Sequence, residues 1–226
     1  MKRDGRIPVC IFAKPPVPGQ VKRRLSQSMG WQRGAALADA FLQDSWEALA
    51  RLDWVRPVLV TTERHPSLGR FLQDAEIWLQ GEGALGERLE RILRRALEVS
   101  DMALAVGGDT PGLPQRLLEQ ARAALQTADA VLGPADDGGF YLLGLRRCPG
   151  GLLEDIEWSS EDTLRQTRAR LFGHGLSTAE IEGWFDIDVP EDLWRFHRLL
   201  KAGQVQAPAT SRLLQQLEEG TLGKGK

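Results

Sequence analysis

The chain is poor in the residues that make the simplest catalytic and structural arguments. It has two cysteines, Cys10 and Cys148, in 226 residues. They are too few and too unlike in context for a disulfide framework, and they lack the C-x-x-C spacing of a zinc site. Cys10 lies in an apolar run, where a thiol behaves as a small hydrophobe. The three histidines, His65, His174 and His197, are scattered, and no G-x-S-x-G occurs, so nothing points to a hydrolytic triad. Neither a Walker loop nor a G-x-G-x-x-G dinucleotide fingerprint follows the first apolar strand. No apolar run approaches the roughly 18 residues that a membrane span needs. The short apolar stretch after Met1, Lys2 and Arg3 holds Pro8 and runs into Lys14, unlike a secretory signal. A net charge of −2 lacks the basic excess that nucleic-acid binding requires. The reading left by these absences is a cytoplasmic protein with 42% apolar residues, enough to bury a core.

What is present is charge placed unevenly. Between Gly5 and Ala38 there is no acid, but there are six bases: Arg6, Lys14, Lys22, Arg23, Arg24 and Arg33. Acids gather later, at Asp136 and Asp137, from Glu154 to Asp162, and from Glu180 to Asp192. One part of the chain is equipped for an anion and another for a cation.

Strand-like and helix-like segments alternate along most of the length. Apolar strands are expected at Ile7 to Ala13, Val55 to Thr62, Ala75 to Gln80, Met102 to Val106, Ala128 to Gly133, Phe140 to Leu145 and Phe185 to Val189. Helices are expected from Trp31 to Leu52, from Ser67 to Asp74, around Leu85 to Ala96, after Pro114, after a hydroxyl cap at Ser159 and Ser160, and after Pro190. This alternation predicts an α/β fold: a three-layer α/β/α arrangement on a mostly parallel sheet. Residues 1–202 read as one nucleotide-binding domain. Residues 203–226 read as a C-terminal extension with one helix, Thr210 to Glu219, and a loose Gly/Lys tail. Sheets of this kind bind ligands beyond the carboxyl ends of their strands.

Four segments at such ends carry candidate chemistry. After the first strand, Lys14, Pro15, Pro16, Pro18 and Gly19 form a stiff turn that leads to Lys22, Arg23 and Arg24. Pre-ordered cations suit a diphosphate or triphosphate; the plainer reading is a solvated basic loop. After the fourth strand, Gly107 and Gly108 precede Asp109. A lone carboxylate there can ligate Mg²⁺ or Mn²⁺, which take oxygen ligands and share phosphates, or it can simply be a turn aspartate. The run Gly133 to Gly144 holds Asp137, Gly138 and Gly139; it is a hairpin by its turn residues, with Asp137 placed to hold an acceptor hydroxyl or serve as a base. Asp186 and Asp188 alternate onto one side of an extended segment as a second metal arm, whereas Glu191 and Asp192 are ordinary helix-start acids. Of the seven tryptophans, Trp158 stands apart, beside Ser159 and Ser160 in a loop; the others read as packing.

Five motifs occur in order over residues 7–200. They are Lys14, Pro16, Pro18, Gly19, Val21, Lys22, Arg24 and Leu25; Leu85 to Arg88; Gly108, Asp109 and Pro111; Gly133, Pro134, Asp137, Gly138, Gly139, Tyr141 and Gly144; and Asp186, Asp188, Pro190, Glu191 and Asp192. Together they resemble the bacterial nucleotide-diphospho-sugar transferases known as arsenosugar-biosynthesis-type glycosyltransferases. More distantly they are similar to the 2-phospho-lactate and molybdenum cofactor guanylyltransferases. The resemblance implies a glycosyltransferase A-type fold, phosphate contacts from Lys14, Lys22 and Arg24, metal ligation by Asp109 and Asp188, and the Leu85 to Arg88 segment, with Leu85 and Gly86, near the base or ribose. Arg23 departs from the family pattern, which has Thr there, and the metal motif is not a full Asp-x-Asp. The expected function is metal-dependent transfer of a sugar from a nucleoside diphosphate sugar to a small acceptor, with Lys22 and Arg24 stabilising developing charge and Asp137 meeting the acceptor. Nucleotidyl transfer from an NTP to a phosphorylated small molecule, and a non-catalytic nucleotide-binding domain, remain alternatives.

Overall fold

The computed structural model describes residues 5–222, so the last four residues of the Gly/Lys tail lie outside the described residues. The elements run β1 (Ile7–Phe12), α1 (Arg23–Met29), α2 (Trp31–Ala50), β2 (Val55–Thr61), a single 3-10 turn at Pro66–Leu68, α3 (Phe71–Asp74), β3 (Ile77–Leu79), α4 (Leu85–Leu97), β4 (Ala103–Gly107), α5 (Gln115–Ala124), β5 (Ala130–Pro134), β6 (Phe140–Leu145), α6 (Thr163–Gly173), β7 (Thr178–Glu180), α7 (Pro190–Lys201) and α8 (Pro208–Leu222).

The seven strands form one sheet in the order β3-β2-β1-β4-β6-β5-β7. All pairings are parallel except those of β6, which runs antiparallel to both β4 and β5. The order reverses direction between β1 and β4, which is where a doubly wound sheet opens a crevice at its carboxyl edge. The loops that carry Lys14 to Lys22 and Asp109 leave the sheet at that point.

Alternation along the strands feeds two apolar layers. Ile7, Val9 and Ile11 of β1 join Leu42 and Leu49 of α2 and Leu117 and Leu118 of α5 on one face. Cys10 of β1, with Val58 and Val60 of β2, joins Leu89, Ile92 and Leu93 of α4 and Leu171 of α6 on the other. The expected three layers are therefore present. A third cluster lies beside the sheet, where Leu25, Leu37 and Phe41 meet Phe185, Ile187, Phe196, Val205 and Ala207. The segment after residue 202 thus contributes to a core. Its helix begins at Pro208, where the Asp44 carboxylate accepts the N–H groups of Ala209 and Thr210, both at 2.8 Å. That remote cap replaces the local one that the sequence lacks.

Three expectations need correction. Phe185 to Val189 is not a strand; the last strand is Thr178–Glu180, with an isolated bridge between Ala135 and Trp184. The Ile187 N–H is taken by the Asp109 carbonyl at 3.1 Å, so it is unavailable to a sheet ladder. Helix α6 starts at Thr163 and not at Ser159. Ser160 Oγ donates instead to the Glu157 carbonyl at 3.0 Å, and Thr163 Oγ1 lies 2.9 Å from the same carbonyl, so these hydroxyls tie a turn. The helix expected from Ser67 to Asp74 divides at Gly69, whose φ of 37° ends the 3-10 turn.

Candidate active site

The segments from the four strand ends meet over the switch point. Gly108 N–H donates to the Phe12 carbonyl at 3.0 Å, which locks the turn after β4 against the end of β1. A side chain at Gly108 would meet the Ala13 Cβ at 2.8 Å, and one at Gly107 would meet an Asp109 carboxylate oxygen at 2.5 Å. The two glycines therefore let the turn lie flat and let Asp109 fold back over it. The Asp109 carbonyl receives Ile187 N–H, as above, and the Asp192 carboxylate accepts the N–H groups of Asp188 and Val189, each at 3.0 Å. These bonds bring Asp186 and Asp188 beside Asp109, although Asp109 and Asp186 are 77 positions apart in sequence.

Lys22 joins them. Its ammonium lies 3.0 Å from Asp109 Oδ2 and 2.7 Å from Asp188 Oδ1. The lysine side chain is 7% exposed, against 35% and 51% for the two carboxylates. Burial works against its charge, but Asp109 and Asp188 outweigh that and hold its pKa above the ordinary lysine value. Lys22 adopts a left-handed backbone, φ 43° and ψ 47°, at the start of α1. A non-glycine residue there stores strain of about 1 kcal/mol or more, a pattern that clusters at functional sites.

Around this triad the cleft divides into two lobes. The first, about 480 Å³, is lined by Lys14, Gln20, Lys22, Gln80 and Arg88 beside Gly107 and Gly108. The second, about 310 Å³, is lined by Asp137, Gly139, Phe140, Tyr141, Trp158, Ser160, Thr163 and Asp186. Phe12, Leu85, Gly107, Asp109, Ser159 and Asp188 border both. Lys14 and Lys22, expected near phosphates, thus line the first lobe, and Asp137, expected near an acceptor, lines the second.

Asp186 is the most perturbed acid in the groove. Burial, then the charges of Asp109 and Asp137, push its pKa up from 3.8 to about 8, partly opposed by Lys22. One of its carboxylate oxygens is fully buried and makes no hydrogen bond. The sequence pattern had pointed to Asp186 as a partner of Asp188, but not to this environment.

Of the residues singled out from sequence, the groove gathers Lys14, Lys22, Leu85, Gly107, Gly108, Asp109, Asp137, Gly139 and Asp188. It does not gather five others. Arg24 is exposed and lines a separate depression with Gln27, Ser28 and Glu191; two residues on in a helix, it points away from the side that Lys22 serves. Pro15 is buried in the loop and Gly19 stands exposed at its tip, with φ 83°. Gly86 permits close packing of α4, because a Cβ there would meet the Leu153 carbonyl at 2.3 Å. Gly138, at φ 86°, lies against the backbone of Glu161. Lys22 also differs from its expected role: its ammonium faces carboxylates rather than lying open to an anion. Arg88 closes the Leu85 to Arg88 motif and lines the groove, whereas Gln80 and Thr163 were not among the candidates singled out. Gln80 could have been found as a polar residue ending an apolar strand; it is buried, and its side-chain N–H donates to the Val60 carbonyl at 3.2 Å.

Hard oxygen donors suit Mg²⁺ or Mn²⁺, and Asp109 and Asp188 already share one cationic group, the Lys22 ammonium. The free oxygen of Asp186 adds a further hard donor nearby. Among the described residues no three His, Cys, Asp or Glu side chains form a ready-made metal cluster, so a divalent ion would complete its shell with phosphate oxygens and water. The donor set fits such an ion provided that Lys22 draws back. Among the described residues no helix is long and apolar enough to cross a membrane.

Comparison with solved structures supports the architecture. A "putative nucleotide-diphospho-sugar transferase" from Desulfovibrio desulfuricans G20 matches with a TM-score of 0.85 and 28% identity, covering 94% of this chain and 95% of that one. The inositol-1-phosphate CTP transferase from T. maritima matches at 0.56 and 14% identity, covering 88% and 97%. A 4-diphosphocytidyl-2C-methyl-D-erythritol synthase from Anaerococcus prevotii DSM 20548 matches at 0.56 and 13%, covering 88% and 100%. The last two share the fold alone. No curated protein sequence matches the chain. A family model spans residues 42–160, from α2 through the turn after β4 to the loop with Trp158, and by that match the chain belongs to the DUF2064 family, described as an uncharacterized protein conserved in bacteria.

Proposed function

We propose that this chain is a transferase that binds a nucleoside diphosphate sugar across the groove and passes the sugar to a small acceptor. The observation that carries this reading is the Asp109–Lys22–Asp188 triad between a cation-lined lobe and an acidic, aromatic lobe. The name of the Desulfovibrio desulfuricans G20 protein points the same way.

In this reading the diphosphate lies at the triad, with Lys14 and Arg88 on its nucleoside side. Lys22 leaves the carboxylates to meet the phosphates, where its fixed charge opposes the negative charge that develops as the glycosidic bond breaks. Asp109 and Asp188 would hold Mg²⁺ or Mn²⁺, which when bound supplies Lewis-acid stabilisation of the departing diphosphate. The acceptor enters the second lobe, and Asp137 or Asp186 takes the proton that its nucleophilic group loses. Asp186 is largely shielded from solvent and its pKa is raised in the metal-free protein, while Asp137 already accepts Gly139 N–H at 2.9 Å.

Panels of NDP-sugars and NTPs incubated with Mn²⁺ test the reading. Release of free NDP from one donor, abolished by Asp109→Ala, is the expected result. Release of pyrophosphate from an NTP instead would establish nucleotidyl transfer. Nucleotide binding that persists in Asp109→Ala, without turnover of any donor, would establish a binding domain.

A further inference from the structure

The two lobes differ in more than charge. Among the described residues that line the second lobe there is no Lys, Arg or His, while four aspartates face it: Asp109, Asp137, Asp186 and Asp188. Lys22, at the border, offsets one of them. With a divalent cation on Asp109 and Asp188, as in the transfer reading, Asp137 and Asp186 remain as the lobe's own acids and no basic side chain lines it to oppose them.

Its hydrogen-bond capacity is equally one-sided. The Ser160 hydroxyl donates to the Glu157 carbonyl at 3.0 Å, and the Thr163 hydroxyl lies 2.9 Å from the carbonyls of both Glu157 and Ser160. The Tyr141 hydroxyl donates to the Glu182 carbonyl at 2.9 Å, and Gly139 N–H is taken by Asp137. The donor protons of these groups are engaged within the protein, which leaves the Ser159 hydroxyl and the Trp158 indole N–H as the side-chain donors lining the lobe, against four carboxylates. The apolar part of the wall is the edge-to-face pair Trp158 and Phe140, with ring centroids 6.0 Å apart.

A phosphate or carboxylate brings charge of the wrong sign and only acceptors, and would leave both itself and the lobe unsatisfied. A ring-sized molecule with hydroxyl or ammonium groups and one apolar face meets every feature, and about 310 Å³ holds about one such ring. Resting on the transfer reading above, we propose that the acceptor is a neutral or cationic polyol or amine with an apolar face, and that phosphorylated acceptors are excluded.

Two measurements test this. The first reads the lobe without any substrate. Trp158 fluorescence, isolated as the difference between wild type and Trp158→Phe, is quenched in parallel by caesium, iodide and acrylamide. Each efficiency is normalised to free N-acetyltryptophanamide. Caesium is expected to reach Trp158 about twofold or more better than iodide, and Asp137→Asn to narrow the gap; iodide quenching equal to or better than caesium overturns the inference. The second uses matched acceptors, glucosamine against glucosamine 6-phosphate and glucose against glucose 6-phosphate, with NDP release as the readout. The free member of a pair is expected to give release faster by about tenfold or more. Faster release with the phosphorylated member overturns the inference while leaving sugar transfer in place. Absence of release from every donor and acceptor counts against the transfer reading itself, and the quenching ratio still decides the character of the lobe.

Discussion

The two lobes of the groove rest on the same floor, the ends of β1 and β4, and share the same carboxylates, but they are held in shape differently. The cation-lined lobe is held by side-chain bonds, and those of its central lysine span much of the sequence. Arg88 donates to the Gly83 carbonyl at 2.7 Å and reaches Gln80, and Lys22 bonds to residues 87 and 166 positions away. Lys14 makes no ion pair among the described residues. The aromatic lobe is built by short-range turns, in which Asp137 bonds its own loop and Ser160 and Thr163 tie the loop before α6. The first lobe is therefore an electrostatic balance that a ligand can shift, and the second is a preformed wall.

That contrast predicts the largest effect for Lys22→Met. Without the ammonium, Asp109 and Asp188 repel each other. The variant should lose about 1–2 kcal/mol of stability in the absence of metal, a figure kept low because both carboxylates are part-exposed. It should regain more stability from Mn²⁺ than wild type does, while turnover falls by about 100-fold. Thermal melts with and without Mn²⁺ check the first two outcomes; an Mn²⁺ shift no larger than that of wild type would show that Lys22 does not compete for the metal position.

The wall should respond to shape rather than to ions. In Gly138→Ala the new Cβ would lie 2.3 Å from the Glu161 carbonyl oxygen at a φ of 86°, which costs about 2–4 kcal/mol in chemical denaturation. Mn²⁺ should not restore it.

Asp186 sits between the two regimes. Its folded pKa is raised from 3.8 to about 8, so the folded state holds its proton more tightly than the unfolded chain does. The stability that this confers is fully present below about pH 4 and is lost as pH rises through about 8. In EDTA, Asp186→Asn should remove that loss and be more stable than wild type at pH 8.5 by about 1–3 kcal/mol, discounted because solvent reaches the cleft. Parallel stability–pH profiles for the two proteins would contradict this.

The smallest effect belongs to Arg24→Ala. Lining a separate depression, it should change kcat/KM by less than about twofold. A loss of tenfold or more would move Arg24 back into the groove.

The three layers and the mostly parallel sheet were legible because alternating apolar runs and glycine turns are local signals; the strand order and the switch point were not among the expectations. Asp109 was legible for the same reason: it follows two glycines at a strand end. The partnership of Lys22 with Asp109 and Asp188 was not, since it depends on Ile187 N–H reaching the Asp109 carbonyl and on Asp192 holding the turn at Asp188, contacts that no spacing rule encodes. Arg24 was misplaced because the loop's cations were read as one cluster, whereas the left-handed backbone at Lys22 starts a helix that turns the following cations away. The start of α6 was misread because its hydroxyls resemble a cap in sequence and serve a turn in the fold.

Isothermal titration of a nucleoside diphosphate, UDP and GDP in turn, into wild type and Asp109→Asn with and without Mn²⁺ bears on the whole reading at once. Wild type should bind one of them at least about tenfold more tightly with Mn²⁺ than without, and Asp109→Asn should lose that gain. Equal affinity under all four conditions, or no binding of either nucleotide to the wild type, would mean that the triad is a structural ion pair and not the seat of a diphosphate.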